Sequence, residues 1–120
     1  MDIVEKGMAL AVCPEMLGGL SAPRESAEII GGDGMDVLKK RAVVLTASGK
    51  DVTSNYIKGA RKALSIAKRY GISRAILKSK SPSCGYGRIY DGMFRGNLRK
   101  GNGVLTSLLV SNNFRITKER

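Results

Sequence analysis

Histidine is absent from the 120 residues, and cysteine occurs only twice. The first absence removes histidine general bases, Cys/His and Ser/His nucleophilic dyads and the commonest zinc ligand together. The second excludes a disulfide framework; in a reducing cytosol such a pair points to unbridged, metal-bound or catalytic thiols. Aromatic residues make up 5% of the chain, and Phe94, Phe114 and four tyrosines form no RRM-type signature for stacking on bases. Acidic side chains are few, 10 against 21 Lys and Arg, which leaves a formal net charge of +11. That balance suits an anionic partner such as a nucleotide, RNA or another phosphate, and equally a solvated basic face with no partner. No apolar run approaches the roughly 20 residues needed to span a bilayer, and the start, Met1 to Lys6, has neither a basic n-region nor an apolar h-region. A cytoplasmic protein of one domain, residues 1–120, is the expectation.

What the chain does contain is a shaped loop around a thiol, Leu77 to Gly87, following the short apolar run Ala75-Ile76-Leu77. Pro82 fixes one dihedral and biases Ser81 toward extended backbone, while Gly85 and Gly87 permit turns that a Cβ resists. Ligand sites of open α/β sheets gather at the carboxyl ends of strands, so Cys84 stands where a site is expected. The plain alternative is that Cys84 is a small buried hydrophobe.

Around this loop the pattern alternates between strand and helix. Ile3 to Gly7 reads as the last turn of a helix and Met8 to Val12 as a buried strand, so the chain is expected to begin in mid-structure. Cys13-Pro14-Glu15 ends that strand. Ala27 to Ile30 and Ala42 to Thr46 read as further strands, with at most one helical turn over Asp36 to Lys40. The spacing of Tyr56, Ile57, Ala60, Ala63, Leu64 and Ala67 predicts a helix with Lys58, Arg61, Lys62, Lys68 and Arg69 opposite, capped by Asp51 or Thr53 and ended by Gly71. Arg74 to Lys78 is the next strand. Beyond the loop, Arg88-Ile89-Tyr90 and Met93-Phe94 flank a turn at Asp91-Gly92, and Gly96 to Gly103 reads as a mobile polar segment. Asn102 is the expected cap of a helix over Val104 to Ser111, and Phe114 to Ile116 a terminal strand.

Each thiol follows a strand end, and in a parallel sheet those ends lie along one edge, so Cys13 and Cys84 are candidates for a single site. Thiolates bind soft metals and iron-sulfur clusters, although two cysteines without a C-x-x-C pair are a weak metal signature. Glu15 beside one thiol, and Ser81 and Ser83 beside the other, are groups able to bind or protonate a small substrate; turn or cap roles are the alternative.

Three ordered segments carry a resemblance: Val12 to Leu20 with Pro23-Arg24, Ala27 to Gly34, and Lys78 to Gly85 followed by Ile89-Tyr90-Asp91-Gly92. Together they resemble the bacterial domain of unknown function 523, which includes the thiouracil desulfidases. The resemblance implies a Rossmann-like three-layer α/β fold with a mostly parallel sheet, holding a 4Fe-4S cluster through three cysteines. The open iron of that cluster takes sulfur from a thiolated uracil or uridine. Carried onto this sequence, it makes Cys13 and Cys84 cluster ligands, Glu15 and Ser81 the groups that handle the substrate, and Ser83 and Gly85 substrate contacts.

The sequence also departs from that pattern. Such proteins usually open with a strand and a Ser-Ala-Cys-Leu-Leu-Gly motif that supplies the third cysteine, and no such motif occurs here. The expectation is therefore an N-terminally truncated domain: a fragment, a misassigned start or a degenerate paralogue. Two other function classes stay open, a non-catalytic basic module that binds nucleotides or RNA, and a zinc-stabilised domain, which would have only two cysteines and no histidine to work with.

Overall fold

The computed structural model describes residues 2–4, 9–11, 26–77 and 82–118. They form an α/β structure whose principal sheet has the strand order β1-β2-β5-β8, where β1 is Asp2–Val4, β2 is Ala9–Ala11, β5 is Arg74–Leu77 and β8 is Arg115–Lys118. Strands β2, β5 and β8 are parallel, with Ala9 opposite Arg74 and Leu77 opposite Lys118, while β1 joins antiparallel at the edge. Two small antiparallel pairs accompany it. Strand β3, Ala27–Ile30, pairs with β4, Val43–Thr46, and β6, Arg88–Tyr90, pairs with β7, Leu98–Lys100. Among the described residues no helix is long and apolar enough to cross a membrane.

Among the described residues there are three helices. Helix α1, Gly34–Leu38, is a short piece made possible by a capping box: Asp36 N–H donates to Asp33 Oδ1 and Asp33 N–H donates to Asp36 Oδ2. Helix α2, Thr53–Arg69, buries Tyr56, Gly59, Ala60, Ala63 and Ala67 and leaves Lys58, Arg61, Lys62, Lys68 and Arg69 in solvent. Small residues on that buried stripe let another helix approach closely, and α3, Val104–Ser111, packs there. Leu105 and Leu109 of α3 are fully buried with Ile29, Val37, Val44 and Ile89, so α3 is the centre of the core. Gly71, at φ +67, closes α2 as expected.

Four expectations are corrected. Asp2–Val4 is strand rather than the end of a helix, because Ile3 and Val4 pair with β2 and β-branched residues favour that arrangement. Strand β6 pairs with Leu98–Lys100 instead of Met93-Phe94, so the segment read as mobile holds a strand, and the connection between the two runs from Asp91 to Asn97. The N-cap position of α2 is Val52 rather than Asp51 or Thr53, and of the two only Asp51 reaches a free helix amide: its Oδ1 accepts from Thr53 N–H, while Thr53 Oγ1 accepts from Val44 N–H in the neighbouring strand. Asn102 does not cap α3 either. Its side-chain oxygen accepts from Gly87 N–H at 2.7 Å, which ties the base of the β6–β7 hairpin to the helix start.

Candidate functional site

The segment carrying Cys84 is built into the first turn of α3. A helix leaves its first amides without partners inside the helix. Here Val104 N–H donates to Pro82 O at 2.7 Å, and Leu105 and Thr106 N–H both donate to Ser83 O, at 2.9 and 3.2 Å. Gly103 N–H adds a bond to Gly85 O at 2.8 Å. Four successive amides thus hold the backbone on both sides of Cys84. Because α3 returns through Asn112 and Asn113 directly into β8, it runs back along the sheet, and its first turn lies toward the edge where β2, β5 and β8 end.

Glycines make the contact possible. A Cβ on Gly103 would stand 2.7 Å from Pro82 O and closer still to the Ser83 carbonyl, and one on Gly34 would overlap Gly103 and stand 2.6 Å from Val104 N. Both obstacles are backbone, which cannot swing aside as a flexible side chain can. The α1 start, the α3 start and the Cys84 loop therefore form a stack, secured by Gly34 N–H donating to Asn102 O at 2.7 Å.

Cys84 itself is 8% exposed and borders the hydrophobic core. Ser83 and Gly85 are buried beside it. The hydroxyls of Ser83 and Thr106 are fully enclosed and have no hydrogen-bond partner among the described residues. The partial positive charge at the α3 N-terminus favours negative charge in its neighbourhood, such as a thiolate or the sulfur of an anionic cluster. Of the sequence-derived candidates, the structure brings Ser83, Cys84 and Gly85 together; Cys13, Glu15 and Ser81 lie outside the described residues. Strand β2 ends at Ala11, two residues before Cys13, and its parallel neighbour β5 ends at Leu77.

Sequence reasoning missed Gly34, Gly103 and Thr106. The available signal is the Gly101-Asn102-Gly103 run before an apolar helix, a pattern that fits a loop and a close backbone approach equally well. It also missed Glu28, a buried carboxylate on β3 whose Oε1 accepts from Gly92 N–H at 2.9 Å and Phe94 N–H at 3.2 Å. That pair of bonds holds the turn after β6, where Phe94 sits at φ +56.

The donor chemistry agrees in kind with an iron-sulfur centre. Thiolate is the required ligand type, and the chain has two cysteines and no histidine to offer. Among the described residues no group of three or more His, Cys, Asp or Glu is placed to hold a metal ion, so Cys84 is the single described thiol and the set needs contributions from beyond it.

The family model of 2-thiouracil desulfurase matches residues 2–120. The uncharacterized protein YbbK of Bacillus subtilis strain 168 is 50% identical over 117 residues, covering 98% of this chain and 78% of that protein. Among solved structures, the 4Fe-4S-dependent thiouracil desulfidase TudS superposes with a TM-score of 0.80 at 43% identity, over 95% of this chain and 69% of that one. On a match that runs from Asp2 to the last residue, with the fold in common, this chain belongs to the 2-thiouracil desulfurase family.

Proposed function

We propose that the chain is a cytoplasmic iron-sulfur-dependent desulfidase domain that replaces sulfur by oxygen in a thiolated uracil or uridine. Cys13 and Cys84 would hold the 4Fe-4S cluster, Glu15 and Ser81 would handle the substrate and its protons, and Ser83 and Gly85 would line its site. One observation carries the reading: β2 and β5 are adjacent and parallel, so the chain segments that bear the two cysteines leave the sheet at the same edge. Three parallel strands in the principal sheet support the Rossmann-like three-layer arrangement. These 120 residues contain two cysteines, and a third thiol could be supplied by residues outside the given sequence, by a partner subunit or by an exogenous thiol.

Bound there, the cluster supplies an iron with an open position, a Lewis acid for the thiocarbonyl sulfur. The net exchange takes one water and releases hydrogen sulfide, with no change of oxidation state. The chain's own part is to position the groups and to move protons. The α3 amides fix the loop that presents Cys84, Glu15 moves a proton between the attacking water and the ring nitrogen, and Ser81 orients the ring through its hydroxyl. Anaerobic reconstitution with iron, sulfide and a small thiol, followed by incubation with 4-thiouracil, tests this. Conversion to uracil, abolished by Cys84→Ala, is expected; unchanged 4-thiouracil with the loaded protein rules the activity out.

A second reading rests on charge. Lys58, Arg61 and Lys62 share one outward face of α2 with Ser54, Ile57 and Ser65, a basic surface around a half-buried apolar side chain. A non-catalytic nucleotide- or RNA-binding module would use this surface, and its affinity for RNA would fall steeply between low and moderate salt. Binding indifferent to salt dismisses it.

A further inference from the structure

The β6–β7 hairpin carries two cations where a sheet resists them. Arg88 stands directly opposite Lys100 in the ladder, so both side chains leave the same face, with Cβ atoms about 5 Å apart. Both are exposed, and neither has an ion-pair partner among the described residues. Like charges opposed in this way destabilise a ribbon. Side chains alternate along a strand, so Tyr90 and Leu98, the next pair on that face, stand beside the two cations. This is the solvent face: Ile89, on the other side, is 1% exposed, and Arg99 opposite it donates to Gly32 O.

The face is extended at both ends. At the base, Gly101 N–H donates to Gly87 O and Gly103 N–H to Gly85 O, so the paired backbones run on to the Cys84 loop. At the tip, the buried Glu28 carboxylate fixes the turn that leaves Met93 and Phe94 exposed and holds Phe94 at φ +56, a backbone region that bulky residues rarely adopt. Arg95 follows, exposed. Cations thus stand at both ends of the hairpin with rings between them, and from Gly87 to Gly101 the chain has four cations against one carboxylate, Asp91.

We infer that the outer face of this hairpin is a docking surface for single-stranded nucleic acid, with phosphates on Arg88, Lys100 and Arg95 and bases against Tyr90 and Phe94. An isolated phosphate reaches only one end of the hairpin, and an acidic peptide engages the cations but leaves the rings unused. A strand of alternating phosphates and bases uses both. The surface is separate from the basic face of α2. The inference does not rest on the iron-sulfur reading, since binding is expected of the chain without a cluster.

The test measures, by fluorescence anisotropy at two salt concentrations, how the cluster-free chain binds a labelled oligouridylate of about ten nucleotides. Arg88→Gln/Lys100→Gln is expected to bind about tenfold more weakly and to flatten the slope of log K against log salt by about 1 to 2, as the loss of two phosphate contacts requires. Arg61→Gln/Lys62→Gln on α2 removes the same charge and is expected to bind nearly as the wild type does. Tyr90→Leu is expected to weaken binding about tenfold with the slope unchanged. Equal losses in the two double variants mean that net charge alone acts and overturn the proposal, as does wild-type affinity in Tyr90→Leu. It is also overturned if the wild type ignores the oligouridylate or binds an oligoglutamate of equal charge as tightly. The hairpin double variant is expected to melt no lower than the wild type, because it relieves a repulsion; a lower melting temperature would show that the two cations serve the fold and would overturn the inference.

Discussion

Gly103 and Ser83 meet backbone to backbone: the glycine's α-carbon faces the Ser83 carbonyl so closely that there is no room for a methyl group between them. The same carbonyl accepts two amides from α3, so the glycine and the hydrogen bonds fix one joint. Gly103→Ala must push the Cys84 loop off the helix start. Overpacking of this kind costs about 1–3 kcal/mol, readable as a lower urea midpoint at unchanged slope. Gly49, whose Cβ direction is open although its φ is +90, is the control; Gly49→Asn is expected to cost less, since asparagine tolerates that backbone region. Equal losses at the two positions would show that the joint is not tight.

Glu28 links β3 to the turn after β6 through one carboxylate oxygen that accepts two amides. Glu28→Ala removes the acceptor and strands both amides, for a loss of about 1–3 kcal/mol. Glu28→Gln keeps a side-chain oxygen and should lose less. Hydrogen exchange at the Gly92 and Phe94 amides checks the assignment directly: both are expected to exchange faster in the alanine variant, whereas unchanged protection would mean that other groups hold the turn.

Asp36 gives a pH dependence with a defined sign. The Asp33 backbone amide, followed by the Arg41 guanidinium at 3.1 Å, holds its carboxyl below the ordinary value of 3.8. A depressed folded-state value means that the stabilising contribution is fully present above the unfolded value and is lost as the pH falls through the folded one. The wild type should therefore lose stability below about pH 3.8 more steeply than Asp36→Asn. Parallel stability curves for the two proteins in that range would contradict it. The side chain is solvent-accessible, so the difference is expected to be small and to shrink in high salt.

Much of this arrangement was legible in the residues themselves. The helical spacing of Tyr56, Ala60, Ala63 and Ala67, the turn at Gly71 and the run Ala27 to Ile30 each express a local periodicity that tertiary packing reinforces. The failures share one cause. Pairing of β6 with Leu98–Lys100, the approach of Gly103 to Ser83 and the reach of Glu28 to Gly92, 64 residues away, are contacts between distant segments, and no local period encodes them. For the candidate site, the sequence singled out Cys84 and its loop but not the helix that holds it, because Thr106 in an apolar helix looks like an ordinary core position until its hydroxyl is found unpartnered. Ile3 and Val4 show the limit of short runs, since a strand of three residues is indistinguishable from a helix end until its partner is known.

The proposed desulfidase function requires Cys13 and Cys84 to hold one iron-sulfur centre. Iron and acid-labile sulfide bound per chain, measured after anaerobic reconstitution of the wild type, Cys13→Ser and Cys84→Ser, test it most directly. Iron and sulfide are expected in equal amounts in the wild type, with a collapse of both in either variant. Retention of the full complement in one of the serine variants, or its absence from the wild type, would contradict it.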